Sequence, residues 1–436
     1  MVDVSKIPDV AAVALLTLAF FSVARHAKTP ISGLWLVGWL MIVLHFFAYL
    51  FLPAPGMLGI AADALGTSAL VWAALLFMWA CVPYRQRSSS RLIIGSLFAT
   101  ITLYLCLETI APGGHGLLPP SAVLIGALPL TIALLEVGRF RHPLRWILVS
   151  LFAALSVFLL AVEDRPENGM ALALNAVLFT VYLVCCMHFW YVYRRHTAGA
   201  FITVIGFLAW SSVFILGPAA QFFPSIHLED EVWNLPKYVV AVGMILILLE
   251  DQIEHNKYLA LHDELTGLPN RRLFQDRLTS ALERARRTGR QAALLVIDLD
   301  YFKHVNDSVG HHMGDALLKH VSRLFLSRVR AADTVARTGG DEFSIVLEEP
   351  TGRGEALHVV KTLTMLLEAP VQIEGHSLRI GASVGVAVFP EDAANAEALF
   401  IAADLSMYAS KRAARSKEGL VYPDPLWAGR ASSSQT

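Results

Sequence analysis

The chain has little charge for its length. Charged residues make up 16% of its 436 residues and hydrophobic residues 55%, whereas a soluble domain carries about a quarter charged residues. Part of the chain is therefore expected to lie in a lipid bilayer. The formal net charge is −1, which argues neither for nor against a nucleic-acid partner, and we expect none.

The chain is also poor in cysteine, and its four cysteines all fall in apolar runs without CxxC spacing. Neither a zinc site nor a disulfide framework is predicted from them. No positively charged segment precedes the first apolar run, so that run is predicted to be a membrane span and not a secretion signal.

The apolar residues are concentrated before residue 250. About nine runs approach the ~20 residues needed to cross a bilayer, and we expect residues 1–249 to form a membrane sensor domain of about nine transmembrane helices. The runs are residues 10–24, 33–52, 60–82, 92–109, 117–135, 146–162, 170–191, 201–222 and 238–249.

The basic residues between these runs fall in alternate loops. Such loops face the cytoplasm by the positive-inside rule. An odd number of spans then predicts an outside N-terminus, in a bacterial inner membrane, with every residue after Glu250 in the cytoplasm. The basic residues are Arg25, Lys28, Arg85, Arg87, Arg91, Arg139, Arg141, Arg145, Arg194 and Arg195.

Ionisable residues within the spans are rare. His45 and Asp63 fall in the outer half of consecutive spans joined by a short loop. An ionisable residue inside the membrane suggests a functional site, and the alternative is a local hydrogen bond that only stabilises packing. Neither interpretation names a ligand.

Residues 250–262 connect the last span to the cytoplasmic region. They contain neither proline nor glycine, so one helix is predicted to run from the bilayer into the cytoplasm. Such a helix could transmit a movement between the two regions, or it could be a plain spacer.

The residues after 263 predict an α+β fold. We predict strands at 294–300, 334–337 and 343–348, a strand pair formed by 371–374 and 377–389 around Gly375, and helices at 315–329, 355–367 and 396–414. This order predicts a largely antiparallel sheet with helices on its faces.

Acidic residues are displayed at the tip of the predicted hairpin, in the stretch Arg337-Thr-Gly-Gly-Asp-Glu-Phe343. Gly339 and Gly340 are expected to allow positive φ angles, a tight turn and close approach of a ligand. Asp341 and Glu342 follow them. The stretch alone is equally typical of an ordinary hairpin turn.

A second acidic residue, Asp298, ends the first predicted strand. If that strand pairs with the hairpin, Asp298 and Asp341 converge. Carboxylates without histidine or cysteine nearby suit Mg²⁺ or Mn²⁺, and such metals can activate a hydroxyl and stabilise a leaving pyrophosphate.

Further residues suit a nucleotide. Basic side chains can supply countercharge to phosphates, and the candidates are Lys303, Lys411 and Arg415. Asn306 and Asp315 can read a base edge, and a carboxylate matches the donors of guanine but not the edge of adenine.

From Asp263 to about Ser416 the chain resembles a GGDEF-type diguanylate cyclase domain. Matching stretches begin at Asp263 (Asp-Glu-Leu-Thr-Gly-Leu-Pro-Asn-Arg-Arg), Asp298 (Asp-Leu-Asp-Tyr-Phe-Lys-His-Val-Asn-Asp), Gly310 (Gly-His-His-Met-Gly-Asp), Arg337 and Ala382 (Ala-Ser-Val-Gly-Val). The resemblance implies a fold similar to the palm of nucleotide cyclases and polymerases. It implies condensation of two GTP to cyclic di-GMP with release of pyrophosphate.

The resemblance also implies residue roles. Asp298, Asp341 and the backbone carbonyl of Leu299 would hold the metals, and Asp341 with Glu342 is where the general base would lie. Asn306 and Asp315 would bind guanine, Gly339 and Gly340 would give GTP room, and the phosphates would be held by Lys303, Lys411 and Arg415. Arg415 stands in Lys411-Arg-Ala-Ala-Arg415-Ser, where the family often has Gly-Arg-Asn.

Arg330-Ala-Ala-Asp333 stands at the offset of the family's inhibitory product site. The resemblance implies that Arg330 and Asp333 bind cyclic di-GMP as an inhibitor. The alternative is a surface ion pair.

The sequence therefore predicts a membrane-bound diguanylate cyclase with a sensor at residues 1–249, a connecting helix at 250–262, a cyclase domain at 263–420 and a disordered tail at 421–436. No phosphodiesterase domain is expected after Gly419. Because each domain presents one GTP, a homodimer is expected. The alternatives are a catalytically silent receptor for GTP or cyclic di-GMP, and a transporter with a regulatory domain, which would keep substrate uptake after loss of Asp341.

Overall fold

The structure, a computed structural model, describes residues 2–27, 30–81, 88–110, 116–135, 143–163, 169–193, 197–220, 230–350 and 352–417. The contacts within the chain divide it into two units, Met1–Glu254 and His255–Thr436.

Every regular element described in the first unit is a helix. Eight of its helices are long and apolar enough to cross a membrane, and another contains the shorter apolar stretch Trp146–Val162. The helices are α1 (Ile7–Ala27), α2 (Pro30–Tyr49), α3 (Met57–Cys81), α4 (Ser88–Ile110), α5 (Leu118–Leu135), α6 (Pro143–Glu163), α7 (Gly169–Val192), α8 (Ala198–Ala220) and α9 (Asp230–Leu261). Of the basic residues that predicted the topology, Lys28, Arg85, Arg87, Arg139, Arg141, Arg194 and Arg195 lie outside the described residues.

Aromatic side chains form the centre of this helical unit. The rings of Trp35 and Phe189 stack with centroids 5.6 Å apart, and those of Phe189 and Phe207 are 4.9 Å apart. Phe207 in turn stacks on Trp210. These rings join α2, α7 and α8, and each buries a large apolar area.

Helices α8 and α9 approach each other closely. A Cβ on Gly243 would lie 2.6 Å from the backbone nitrogen of Thr203, so only glycine permits this crossing, as is common between membrane helices. Beyond the crossing, the Glu250 carboxylate accepts a hydrogen bond from the Gly199 N–H at 3.2 Å. A carboxylate at a helix N-terminus is favourably placed, so α9 is fastened to the start of α8.

His45 and Asp63 do not pair with each other. The His45 Nδ1 lies 2.9 Å from the Gly66 carbonyl oxygen, and Asp63 is hydrogen-bonded to the Thr67 side chain. Both acceptor and donor partners lie on α3. These local hydrogen bonds fit the interpretation in which His45 and Asp63 only stabilise helix packing.

The second unit is an α+β fold, as predicted. A four-stranded antiparallel sheet has the order β2-β3-β1-β6, and β4 and β5 form a separate two-stranded sheet. The elements are α10 (Arg271–Thr288), β1 (Ala292–Asp300), α11 (Phe302–Val309), α12 (His311–Leu326), β2 (Thr334–Arg337), β3 (Glu342–Glu348), α13 (Arg353–Glu368), β4 (Val371–Ile373), β5 (His376–Leu378), β6 (Gly381–Phe389) and α14 (Ala396–Lys417).

Strand β1 lies at the centre of the main sheet and is buried on both faces. Leu295 and Ile297 pack in the cluster that includes α12 and α13, whereas Leu294 and Val296 pack against α10 and α14. Because side chains alternate along a strand, Asp298 belongs to the face covered by α10 and α14.

The prediction of one strand at 377–389 is wrong. β5 ends at Leu378 and β6 begins at Gly381. β5 completes a short exposed hairpin with β4, whereas β6 pairs with β1 over its whole length. Buried Ile380 lies at the break, so the chain leaves the hairpin where it enters the core.

Candidate active site

The end of β1 and the tip of the β2–β3 hairpin lie side by side. Asp298 is directly opposite Glu342 in the β1–β3 register, and the Leu299 N–H donates to the Asp341 carbonyl oxygen at 3.1 Å. Residues opposite each other in an antiparallel pair share a face. The carboxylates of Asp298 and Glu342 therefore lie on one face, and Asp341 is one step further along the same edge.

Asp298 is buried and ion-paired. It is 8% exposed, and the Lys411 Nζ on α14 lies 2.5 Å from its Oδ1. The neighbouring acid, Asp300, accepts a hydrogen bond from the Ser383 hydroxyl on β6 at 2.9 Å. Lys411 was predicted to hold phosphates, and here it reaches the predicted metal-binding carboxylate.

The hairpin turn does not use the positive φ angles expected of its glycines. Neither Gly339 nor Gly340 adopts one. The N–H groups of Thr338 and Gly339 instead donate to the Glu342 carbonyl oxygen at 3.0 and 3.3 Å. A Cβ at Gly339 would lie 2.6 Å from the Glu342 Oε2 and 3.1 Å from the Glu342 Cβ, so a larger residue there would require the exposed Glu342 side chain to move. At Gly340 a Cβ would meet nothing within 4 Å, so that position is open.

Arg337 holds this turn in place. Its guanidinium donates to the Gly340 carbonyl oxygen at 2.7 Å and to both oxygens of Asp263 at 3.0 and 3.1 Å. One nitrogen, Nη1, reaches both carboxylate oxygens, and charge-assisted hydrogen bonds of this kind are stronger than neutral ones. Asp263 lies two residues after the end of α9. Its contact with Arg337 therefore joins the residues that follow α9 to the hairpin tip.

Asp263 lies in one of the sequence motifs, but no role was predicted for it. Burial alone would raise the pKa of Asp263, but hydrogen bonds from Thr266 and Arg337 outweigh burial and hold the pKa below its ordinary value. Thr266 donates from both its backbone N–H and its hydroxyl, at 2.9 and 2.6 Å. The Asp-x-x-Thr spacing was the signal that could have predicted this loop.

The predicted guanine-binding residues lie on the helix pair that follows β1. Tyr301 turns the chain into α11 with a φ of 63°, a conformation that non-glycine residues rarely adopt and that clusters at functional sites. A Cβ on Gly314 would lie 1.9 Å from the Asn306 Oδ1, so Gly314 is what lets the Asn306 amide lie against α12. Asp315 follows and is exposed.

The remaining predicted phosphate contacts are less defined. Lys303 is exposed in the first turn of α11. Arg415 lies near the end of α14, and its side chain is outside the described part of the chain.

Arg330 and Asp333 lie next to each other without a side-chain ion pair between them. The Asp333 carboxylate accepts hydrogen bonds from the Arg330 and Glu348 N–H groups at 2.8 and 3.0 Å. Burial raises the pKa of Asp333. The Arg330 guanidinium instead lies 2.6 Å from the Glu355 Oε1 on α13.

The donor set at the end of β1 fits a hard cation. Carboxylates and a backbone carbonyl are the ligands that Mg²⁺ prefers. Among the described residues, no group of three or more histidine, cysteine, aspartate or glutamate side chains is placed to hold a metal, and the predicted set has two carboxylates only. Substrate phosphates commonly complete such a magnesium site.

A cavity of about 690 Å³ continues from the hairpin tip between α10 and α14. Its lining includes the polar residues Thr338, Glu342 and Arg271 and the aromatic residues Phe274 and Phe400. It lies on the sheet face that carries Asp298. No sequence pattern predicted this cavity, because α10 was not predicted.

The family match falls within the second unit. Residues 260–417 match the family described as diguanylate cyclase, GGDEF domain. The bifunctional diguanylate cyclase/cyclic di-GMP phosphodiesterase MucR of Pseudomonas aeruginosa is 41% identical over 40% of this chain and 27% of its own length. The diguanylate cyclase TpbB of the same organism is 37% identical over 39% of this chain and 40% of its own length.

Solved structures match the same region. The GGDEF domain of TpbB is 38% identical, with a TM-score of 0.34, over 35% of this chain and 89% of that chain. The GGDEF domain of DgcB from Caulobacter crescentus, a complex with c-di-GMP, is 27% identical, with a TM-score of 0.34, over 35% of this chain and 91% of that chain. The chain spans less than half the length of the curated relatives named above.

Proposed function

From the premise that residues 260–417 form a GGDEF domain of the diguanylate cyclase family, we propose that this chain is an active, membrane-bound diguanylate cyclase. It condenses two GTP to cyclic di-GMP and releases two pyrophosphate. The observation that carries the proposal is the shared edge of β1 and β3, where Asp298 is opposite Glu342 and Leu299 is bonded to Asp341.

In the proposed mechanism, Asp298, Asp341 and the Leu299 carbonyl would hold Mg²⁺ or Mn²⁺. A bound metal would supply Lewis-acid activation of the attacking hydroxyl and countercharge for the leaving pyrophosphate. The carboxylate of Asp341 or of Glu342 accepts the proton of the 3′-hydroxyl. Glu342 is exposed, so solvent can take that proton in turn.

Lys411 has a double role in this proposal. In the structure its ammonium is paired with Asp298 at 2.5 Å. A cation bound at Asp298 would repel that ammonium and leave it available to the substrate phosphates, together with Lys303 and Arg415. Lys411 therefore neutralises the buried acid whenever the metal is absent, which limits the cost of burying an unpaired charge.

Guanine binding is assigned to Asn306 and Asp315. The Asp315 carboxylate accepts from the N1–H and N2–H₂ groups of guanine, and the Asn306 amide supplies a further contact. Gly339 and Gly340 leave the hairpin without side chains at the point where the ribose and phosphates pass.

Two such domains must face each other, because each presents one GTP. The active form is therefore a homodimer, with the first unit embedded in the inner membrane and the GGDEF domain in the cytoplasm. The first unit acts as the sensor, and α9 carries its state to Asp263. Cyclic di-GMP inhibits by binding at Arg330 and Asp333.

The test is GTP turnover by the purified full-length protein with Mg²⁺, with the products resolved by chromatography. Cyclic di-GMP and pyrophosphate are the expected products.

A second candidate is a silent receptor that binds GTP or cyclic di-GMP without turnover. Saturable GTP binding with no product over a range of Mg²⁺ and Mn²⁺ concentrations would select this candidate.

A further inference from the structure

A lysine is buried inside the helical unit, near the start of α9. Lys237 is 8% exposed, and its Nζ donates to the Asn234 Oδ1 at 2.6 Å. The Asn234 amide in turn donates to the Asp9 Oδ1 on α1 at 3.1 Å. The nearest acid is therefore one residue removed from the ammonium, which has no direct carboxylate partner among the described residues.

The ammonium faces aromatic rings. Its Nζ lies 4.5 Å from the ring centroid of Phe46 on α2 and 6.0 Å from that of Trp210 on α8. These distances fall within the range of cation–π attraction. Helices α1, α2, α8 and α9 thus all contribute to the surroundings of one buried charge.

Two polar groups of this cluster are incompletely hydrogen-bonded among the described residues. An ammonium has three N–H donors, and Asn234 accepts one from Lys237. The Trp210 Nε1 is fully buried and has no hydrogen-bond partner among the described residues. Buried donors are almost always satisfied in proteins, so both groups are candidates to bind an acceptor.

We infer that Lys237 and Trp210 form a binding site for a ligand carrying a carboxylate. A carboxylate accepts at two oxygens, supplies the countercharge that Asp9 gives only through Asn234, and can place an apolar body against the rings of Phe46 and Trp210. The site lies within the first unit, at the end of the bundle where α1 and α9 begin.

Binding there bears directly on α9. The same helix carries Lys237 and Asn234 near its start and continues to Leu261, without a break. A ligand that draws Lys237 towards Trp210 changes the seating of α9 against α1, α2 and α8. The regulatory consequence of this movement rests on the proposed function, whereas the binding itself does not.

The test uses the purified full-length protein in lipid nanodiscs, with butyrate and decanoate as probes. Butyramide and decanamide are the uncharged controls of matched shape. The readout is the thermal unfolding midpoint of the helical unit. A carboxylate present at about a hundredfold its Kd is expected to raise that midpoint by roughly 5 °C or more, and the amides are expected to leave it unchanged.

Variants assign the effect to the site. Lys237→Met should remove the carboxylate response, and Trp210→Phe, which keeps one aromatic ring but deletes the N–H and the second ring of the indole, should reduce it several-fold. Lys257→Met is the matched control, because Lys257 is exposed on the same helix, and should respond as the parent protein does.

Each outcome of this test either supports the carboxylate site or excludes it. A response to decanoate alone assigns the site to ligands from the lipid phase, and a response to butyrate assigns it to ligands from water. Equal shifts with acids and amides, no shift with either acid, or an undiminished shift in Lys237→Met overturns the site. Because the readout is unfolding, a protein without GTP turnover would defeat the proposed function and leave this test intact.

Discussion

Polar contacts around the hairpin tip join motifs that sequence patterns had already marked, whereas those of the helical unit join residues that no pattern connects. Arg337 binds Asp263 and Gly340, and each lies in a stretch with a family signature. Asp9 and Asn234, by contrast, are 225 residues apart and contact through one amide. A catalytic site of this kind takes several groups from short stretches of the chain, so it is visible as sequence motifs. A site between long helices needs only one side chain from each helix, so it produces no motif.

The two units also differ in how completely their polar groups are satisfied. Around the hairpin, Asp263 accepts from Thr266 and Arg337, and Asp333 accepts from two backbone N–H groups. In the helical unit, the indole N–H groups of Trp35, Trp39, Trp79 and Trp210 are buried without partners among the described residues. A fully hydrogen-bonded network fixes a rigid geometry, which suits a catalytic edge. The buried indole N–H groups of the helical unit are not held in such a network.

The largest effect that would test this comparison is removal of the acids at the sheet edge. Asp298→Asn and Asp341→Asn are each expected to lower cyclic di-GMP synthesis at least about a hundredfold, because metal activation contributes several kcal/mol to such a reaction. Initial rates with GTP and Mg²⁺, resolved by chromatography, measure the loss.

The control for this prediction is Asp276→Asn, an exposed acid on α10, which should keep its turnover. Thermal unfolding should show all the variants folded. Near-normal turnover in either edge variant would place the metal elsewhere and remove the main support for an active edge.

A second large effect separates the two units physically. The fragment from Leu261 onward contains the whole predicted catalytic edge, so it should make cyclic di-GMP, but at least about tenfold less per molecule when dilute. Its specific activity should rise with concentration, since two domains must meet without the helices that bring them together.

The measurement is specific activity against fragment concentration, beside the full-length protein in nanodiscs. The full-length protein should show little dependence. A fragment whose specific activity is unchanged by dilution would contradict the need for two facing domains.

Much of the second unit could be predicted from the sequence. The α+β fold and the meeting of Asp298 with the hairpin followed from strand periodicity and the position of the acids. The helices α10 and α11 were not predicted, because α10 carries many charges and α11 is only eight residues long. Helical periodicity is strongest in long segments with a clear apolar stripe.

Other features could not be predicted because they depend on contacts distant in sequence. The pairing of Lys411 with Asp298 joins residues 113 apart, and the pairing of Arg330 with Glu355 depends on how α13 packs. The role of Lys237 follows from its burial among four helices. His45 and Asp63 drew attention as ionisable residues in spans, whereas no sequence pattern singled out Lys237.

A moderate effect concerns base choice at the edge of α12. Asp315→Ser should let the protein use some ATP, and the preference for GTP should fall about tenfold or more, since each unsatisfied buried group costs about 1–3 kcal/mol. Competition between GTP and ATP measures the preference. A variant that remains fully specific for GTP would assign guanine recognition to other residues.

A smaller effect concerns product inhibition. Arg330→Ala should leave initial turnover nearly unchanged and raise the inhibition constant of cyclic di-GMP about tenfold, because a guanidinium contact to an anion contributes about 1.5–3 kcal/mol. Glu355→Gln should have the opposite effect, since it weakens the contact that competes for Arg330.

The paired variants make this prediction specific. Turnover is measured against added cyclic di-GMP for each of them. If both variants are inhibited like the parent protein, Arg330 and Asp333 form only a local surface arrangement.

The smallest effect concerns the pH dependence of stability, and it tests whether Asp263 and Asp333 respond in opposite directions. The folded pKa of Asp263 lies below its ordinary value of 3.8, so its ionised form stabilises the folded state above that pH. The contribution is lost as the pH falls through the folded pKa. Asp263→Asn should therefore cost at most about 1 kcal/mol at neutral pH, because the pair is partly exposed, and the difference should vanish in acid.

The folded pKa of Asp333 is raised, so its charge opposes folding increasingly as the pH rises above 3.8, and Asp333→Asn should remove that dependence. Urea unfolding of the fragment from Leu261 onward, between pH 3 and 7, measures both. A stability difference for Asp263→Asn that persists unchanged at pH 3 would mean that the ion pair with Arg337 does not supply it.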